Sequence, residues 1–184
     1  MSLRVLLFDS PAAFLQSGIA ASSSCIVLEE RLPEMSGIKL QQELLKRSIR
    51  VPVVFVSQSG DAPTAVRALK AGAVDFLIKP VPDQQILDAV FAALECDQER
   101  RKKEASLSEL NVLFSATSPR ERQVLVSVAA GKLNKQIAAE LGVSEVMVKV
   151  HRSNGMRKMR LRSVAELVRA FDRLGERTTN RTRD

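Results

Sequence analysis

Short apolar runs alternate with longer segments of helical periodicity in the first half of the chain, and the runs stop in the second half. Arg4-Val-Leu-Leu-Phe8, Cys25-Ile-Val-Leu28, Val51 to Val56 and Val74 to Ile78 are each bounded by polar, Pro or Gly residues, as buried strands are. Between them, apolar residues recur at helical spacing: Ala12 to about Gly18, Ile38 to Arg47 with Leu40, Leu44 and Leu45 inward, Ala62 to Ala71 stopped by Gly72, and Asp83 to Leu94. Strands alternating with helices predict an α/β domain, a parallel sheet of four strands with helices on both faces. In such sheets the polar groups at the carboxyl ends of strands make the site. Here those groups are Glu29, Ser57 and Lys79.

From Ser118 onward the pattern predicts helices alone. Ser118 caps the first, Pro119 fits its first position, Glu121 closes a capping box, and Gly131 ends it. Asn134 to Leu141 presents Ile137, Ala138 and Leu141 on one side. Gly142-Val143 turns the chain, and Ser144 caps a third helix with Val148, Met156 and Met159 inward. Two short helices around a tight Gly-containing turn predict a helix-turn-helix. The outward side of the third helix carries Lys149, Val150, Arg152 and Ser153, followed by Arg157, Lys158, Arg160 and Arg162. A helix fits the major groove of DNA, and cations beside it meet phosphates. A last helix starts at Ser163, buries Leu167, Val168, Phe171 and Leu174, and is expected to end at Gly175. A disordered tail is expected over 175–184.

Charge sharpens this division. Residues 118–184 hold 15 Lys or Arg against 7 Asp or Glu, and residues 1–117 hold 13 against 14, so the excess positive charge lies with the helix-turn-helix. His151 is the single histidine, and Cys25 and Cys96 share no metal-ligand spacing, so no metal site, cofactor or catalytic cluster is expected. No apolar run approaches the roughly 18 residues of a membrane span, and Met1-Ser2-Leu3-Arg4 lacks a signal-peptide pattern. A soluble, cytoplasmic protein without enzymatic activity is the expectation.

Ser118-Pro-Arg-Glu-Arg, Gly131-Lys-Leu-Asn-Lys-Gln-Ile-Ala, Val143-Ser-Glu-Val-Met-Val-Lys-Val-His-Arg-Ser-Asn and Lys158-Met resemble the LuxR-type DNA-binding domain over roughly Phe114 to Arg173. The resemblance implies a four-helix output domain whose third helix reads the major groove, usually as a dimer. Lys149 and Val150 match the family's base-reading positions, and Asn134, Lys135 and Lys158 its phosphate-side positions. Arg152 is added as a base-edge candidate, and Ser153 and Arg157 as backbone candidates. Two residues depart from the pattern. Met147 replaces a usual Thr, and Gly155 replaces a usual Ile or Val, predicting a soft recognition helix because glycine costs about 1 kcal/mol in a helix interior.

Cys25 to Gly37, Val51 to Ser57 and Lys70 to Pro80 resemble the receiver domain of response regulators, most closely the FixJ-type branch. The family's switch hydroxyl maps onto Ser57, its switch aromatic onto Phe76 and its lysine onto Lys79. The position of the phosphate-accepting aspartate holds Glu29, whose extra methylene displaces the carboxylate by about 1.5 Å. Two registers describe the start. Phe8 to Leu15 matches the family's second strand and helix, leaving the first strand and its acidic pair without a counterpart. Alternatively, Arg4 to Asp9 is the first strand, Asp9 is a lone remnant of the pair, and the second strand-helix unit is deleted. Both work against Mg²⁺ and phosphorylation.

The expectation is thus a degenerate receiver-like (flavodoxin-like) domain at 1–94, a helical linker at 95–113, a LuxR-type domain at 114–174 and the tail. Leu107, Leu110, Leu113 and Phe114 in the linker fit either packing on a neighbouring domain or a coiled-coil seam. The expected function is phosphorylation-independent transcription regulation. The implied partners are double-stranded promoter DNA, a second copy of the chain, and RNA polymerase at the promoter. The alternative is an antagonist that pairs with a full-length regulator without binding DNA.

Overall fold

A computed structural model describes residues 3–18, 25–59 and 61–180, with 176–180 as backbone only. The chain divides into two compact units, Met1–Arg101 and Lys102–Asp184.

In the first unit, β2 (Val53–Ser57) is apolar up to its last residue and is buried along its whole length. It is the middle strand of a parallel sheet of order β1-β2-β3, with β1 (Ile26–Glu29) and β3 (Asp75–Ile78) as neighbours. The register sets Glu29 beside Val56 and Ser57 beside Ile78, so the polar ends of all three strands lie at one edge. Helices α2 (Gly37–Lys46) and α3 (Ala62–Lys70) make the crossovers, capped by Ser36 and Asp61. Gly37 stands where α2 comes down on β1. A Cβ there would lie 2.5 Å from the Glu29 carbonyl oxygen and 2.8 Å from the Phe55 ring. Leu40 and Leu44 are buried, but Leu45 is half exposed: consecutive helical residues point about 100° apart, and the inward place goes to Leu44.

The sheet has three strands among the described residues, which corrects the expected four. Arg4–Phe8 is not a strand, and Val5 and Leu7 remain exposed. The physical reason lies in sheet order. In the order 2-1-3-4-5 a second strand pairs with the first alone. In the second-strand register, Arg4–Phe8 therefore lacks the neighbour it needs. The segment is held instead through α1 (Pro11–Gln16): Phe14 is buried with Leu28, Leu40 and Phe55, and meets Phe8 edge to face at 5.3 Å.

Helix α4 (Asp83–Ser115) runs unbroken where the sequence reading ended a helix at Leu94 and began a linker. No Gly or Pro interrupts its 33 residues, and Asp97 pairs with Arg100 and Arg101 three and four residues on. Ala89 and Ala93 pack under Val54 and Leu77 in the first unit. Leu110 belongs to the core of the second unit, and Phe114 meets Phe171 edge to face at 5.4 Å. Those two residues are spent on domain packing rather than on a seam.

That second core is closed by α5 (Pro119–Ala129), α6 (Asn134–Leu141), α7 (Glu145–Lys158) and α8 (Val164–Asn180), around Val124, Leu125, Ile137, Val148, Met159 and Leu167. The capping box at Ser118 and Glu121 forms as expected, with both bonds present. Helix α8 continues past Gly175 to Asn180, which corrects the expected stop. A lone glycine costs a helix about 1 kcal/mol but ends it only when the chain turns left-handed there. Residues 181–184 of the expected tail lie outside the described residues.

Candidate nucleic-acid interface

Helix α7 is aimed by its two ends and by its buried side. Gly142 adopts φ 65° and ends α6, and the Ser144 hydroxyl accepts the Met147 N–H at 3.2 Å to start α7. Val148, Gly155 and Met159 form the buried side. Gly155 is a site of close approach: a Cβ there would lie 2.9 Å from Cδ1 and 3.0 Å from Cγ of Leu125 on α5. The space beside Gly155 is filled from α5 by Leu125, and α7 runs through Gly155 without a break.

Opposite that side, Val146, Lys149, Val150, Ser153 and Arg157 are exposed. Val146 and Val150 are four residues apart, as are Lys149 and Ser153 and then Ser153 and Arg157, so the five form one stripe. Beside it, Asn134, Lys149, Arg152, Ser153, Met156, Arg157, Leu161 and Arg162 line one open groove. Five of the eight residues singled out in the sequence thus come together: Asn134, Lys149, Arg152, Ser153 and Arg157. Val150 lies on the stripe, and Lys135 is exposed on the first turn of α6. Lys158 is held elsewhere. Its ammonium donates to Glu121 Oε2 at 2.8 Å, and the same oxygen accepts the Ser118 N–H at 2.7 Å. These bonds, that from Lys158 first, hold the Glu121 carboxyl below the usual carboxylate range. The sequence reading missed this pairing, because 37 residues separate the partners.

The model for bacterial regulatory proteins of the luxR family matches residues 115–171, and the response regulator receiver domain model matches residues 1–91. Nodulation protein W of Bradyrhizobium diazoefficiens is 47% identical over 175 residues, which cover 95% of this chain and 77% of that protein. The chain belongs to the response regulators. Response regulator protein TmoT of Ectopseudomonas mendocina is 43% identical, over 95% of this chain and 79% of its own length. Among solved structures, the response regulator StyR superposes with a TM-score of 0.76 at 45% identity, covering 90% of this chain and 83% of that one. The protein is accordingly a transcription regulator of the response-regulator class, with a receiver-like domain and a DNA-binding helix-turn-helix output domain. No helix among the described residues is long and apolar enough to cross a membrane.

In this response regulator the strand ends hold an ion pair. Glu29 Oε2 accepts from the Lys79 ammonium at 2.6 Å. Ser57 is buried, and its hydroxyl donates to the Ser59 carbonyl at 3.0 Å and accepts the Ser59 N–H at 3.2 Å, so it is engaged locally. Phe76 is partly buried against Phe55, with ring centroids 6.1 Å apart. The sequence reading placed these four residues at the sheet edge or on β3, and the structure joins only Glu29 and Lys79. The donor set does not fit the metal that receiver chemistry uses. Mg²⁺ takes carboxylate oxygens. Here the Glu29 carboxylate is committed to Lys79, and no group of three His, Cys, Asp or Glu among the described residues could hold a metal ion.

Proposed function

We propose that this response regulator binds double-stranded promoter DNA without phosphorylation, as a dimer whose α7 helices enter major grooves about 34 Å apart. One observation carries the reading. Helix α7 is unbroken, buried along one side, and exposes on the other a stripe running from Val146 through Lys149, Val150 and Ser153 to Arg157. The first two turns of such a helix meet base edges, and cations beyond them meet phosphates. In this reading Lys149 and Val150 face the bases. Asn134, Lys135, Ser153, Arg157 and Arg162 face the backbone, as does Arg152, which lines the groove and is half-buried. Lys158 positions the end of α7 through Glu121.

Phosphorylation independence is supported by the Glu29–Lys79 ion pair: the carboxylate that stands where an aspartate would accept phosphate already holds the lysine. The antagonist reading drew on Met147, Gly155 and the shortened sheet. With Leu125 filling the place beside Gly155, one of those three grounds is removed.

Mobility shifts with the full chain test the proposal. Lys135, Arg152, Arg157 and Arg162 predict a slope of log affinity against log salt of about −3.6 per protomer, hence about −7.2 for the dimer, a loss of roughly 20,000-fold between 50 and 200 mM salt. Lys149→Ala should relax sequence preference and keep that slope. Absence of binding at low salt refutes the reading. Treatment with a small phosphodonor and Mg²⁺ should leave residue 29 unlabelled and the affinity unchanged; label at residue 29 removes the phosphorylation clause. Glu29→Ala separates a fixed active-like pair, which it would disable, from a scaffold, whose binding it would leave intact.

A further inference from the structure

Two valines occupy the centre of the outward stripe of α7. Val146 is 68% exposed and Val150 44%. They are four residues apart, one above the other, and at 100° per residue each lies almost opposite the buried line of Val148, Gly155 and Met159. Lys149 and Ser153 flank them on one side, and Arg157 follows on the same line. A single exposed valine needs no explanation. Two β-branched residues at the apex of a helix do, because they lower helix propensity there and recover nothing by burial within the chain. Cations beside and beyond them fit a polyanion.

We infer that Val146 and Val150 read thymine 5-methyl groups, and that Val146 is a specificity-determining residue of this protein. The inference rests on the reading above that α7 enters the major groove. Base edges in that groove offer hydrogen-bond donors and acceptors and one apolar feature, the methyl group of thymine. Both valines lie in the first two turns of α7, where a recognition helix meets bases, and neither can donate or accept a bond. Their Cβ atoms lie about 6 Å apart along α7, and base pairs rise about 3.4 Å along the duplex, so the two methyls they reach lie at most about two base-pair steps apart. Lys149, between them in sequence and to one side, finds guanine O6 and N7 as its best acceptors. The half-site therefore carries two neighbouring thymines with a guanine beside them.

Selection of the full-length protein on a pool of randomised duplexes at low salt tests this. Enriched sequences are then resynthesised with each thymine replaced singly by deoxyuridine, which removes only the methyl. Two positions per half-site should respond, each weakening binding about fourfold, the worth of one buried methyl group. Val146→Ala should abolish the response at one of them, and Val150→Ala at the other. Circular dichroism should show both variants folded as the wild type is, because neither removes a buried group. Deoxyuridine without effect, or both responses persisting in Val146→Ala, overturns the methyl reading and leaves groove binding standing. Random-duplex binding without any enriched sequence does the same. No binding to any duplex at low salt removes the proposed function, and this inference with it.

Discussion

Replacing Gly155 by valine is expected to destabilise the output unit, although valine is the better helix former. Leaving glycine for valine in a helix interior gains roughly 0.4 kcal/mol. Against this, the new Cβ starts 2.9 Å from Leu125 Cδ1, 3.0 Å from Cγ and 3.3 Å from Cδ2, and two more methyls follow it. Leu125 is fully buried and has Val124, Val128 and Met159 in the same core, so its side chain has little room to retreat. Overpacking of this kind costs about 1–3 kcal/mol, which leaves a net loss of about 0.6–2.6 kcal/mol. For a unit of this size that lowers Tm by about 4–8 °C per kcal/mol. Gly155→Ala adds one carbon, and its contact penalty and helix gain nearly cancel, within about 1 kcal/mol. Leu125→Ala alone should cost about 2–5 kcal/mol. The double variant Leu125→Ala/Gly155→Val should be more stable than the two single effects predict by about 1–3 kcal/mol, because the valine refills the vacated space. Circular dichroism across thermal and urea unfolding of the full chain reads all four proteins. A raised Tm for Gly155→Val, or a cycle that closes additively within about 0.5 kcal/mol, refutes the reasoning.

Three further outcomes follow from particular contacts. Because the Glu121 carboxyl titrates lower in the folded protein than in the unfolded chain, its stabilisation is present above the unfolded value of about 4.3 and is lost as pH falls through the folded value. The urea midpoints of wild type and Glu121→Gln should therefore converge below pH 4; a gap of equal size at pH 3.5 and pH 7 would contradict this. Gly37→Ala puts a carbon 2.5 Å from a backbone oxygen that cannot rotate away, so the receiver-like unit should lose about 2 kcal/mol or more, and an unchanged Tm would count against the close approach of α2 to β1. Burial, and secondarily the Asp97 carboxylate, push the Cys25 thiol up to about 11, whereas Cys96 is exposed. Iodoacetamide at pH 8 should label Cys96 well before Cys25, with both reacting in urea; equal native rates, read by mass spectrometry, would show that Cys25 is not desolvated.

What the sequence made legible was decided within a few residues. Ser118, Pro119 and Glu121, then Gly142 and Ser144, mark helix ends by local chemistry, and each does so in the structure. The apolar run of β2 and the polar ends of the strands were legible for the same reason. The misses were decided at a distance. Arg4–Phe8 has the composition of a strand, but a strand needs a neighbour, and composition does not carry the neighbour. The contact of Gly155 with Leu125, 30 residues earlier, and that of Lys158 with Glu121, 37 residues earlier, were likewise not legible locally. The linker over 95–113 was read as helical and is; only the break at Leu94 was wrong, because nothing local marks where one helix passes into the next. Val146 could have been found from its spacing of four to Val150 and its place opposite Val148.

The Glu29–Lys79 contact is made by the chain on its own account, so no phosphatase can withdraw it. Such a pair at the surface is worth up to about 1 kcal/mol, a bias of at most about fivefold in any equilibrium between two forms. Under the phosphorylation-independent reading proposed above, so narrow a range would make the number of copies in the cell the main dial on promoter occupancy, and would move control to synthesis and turnover.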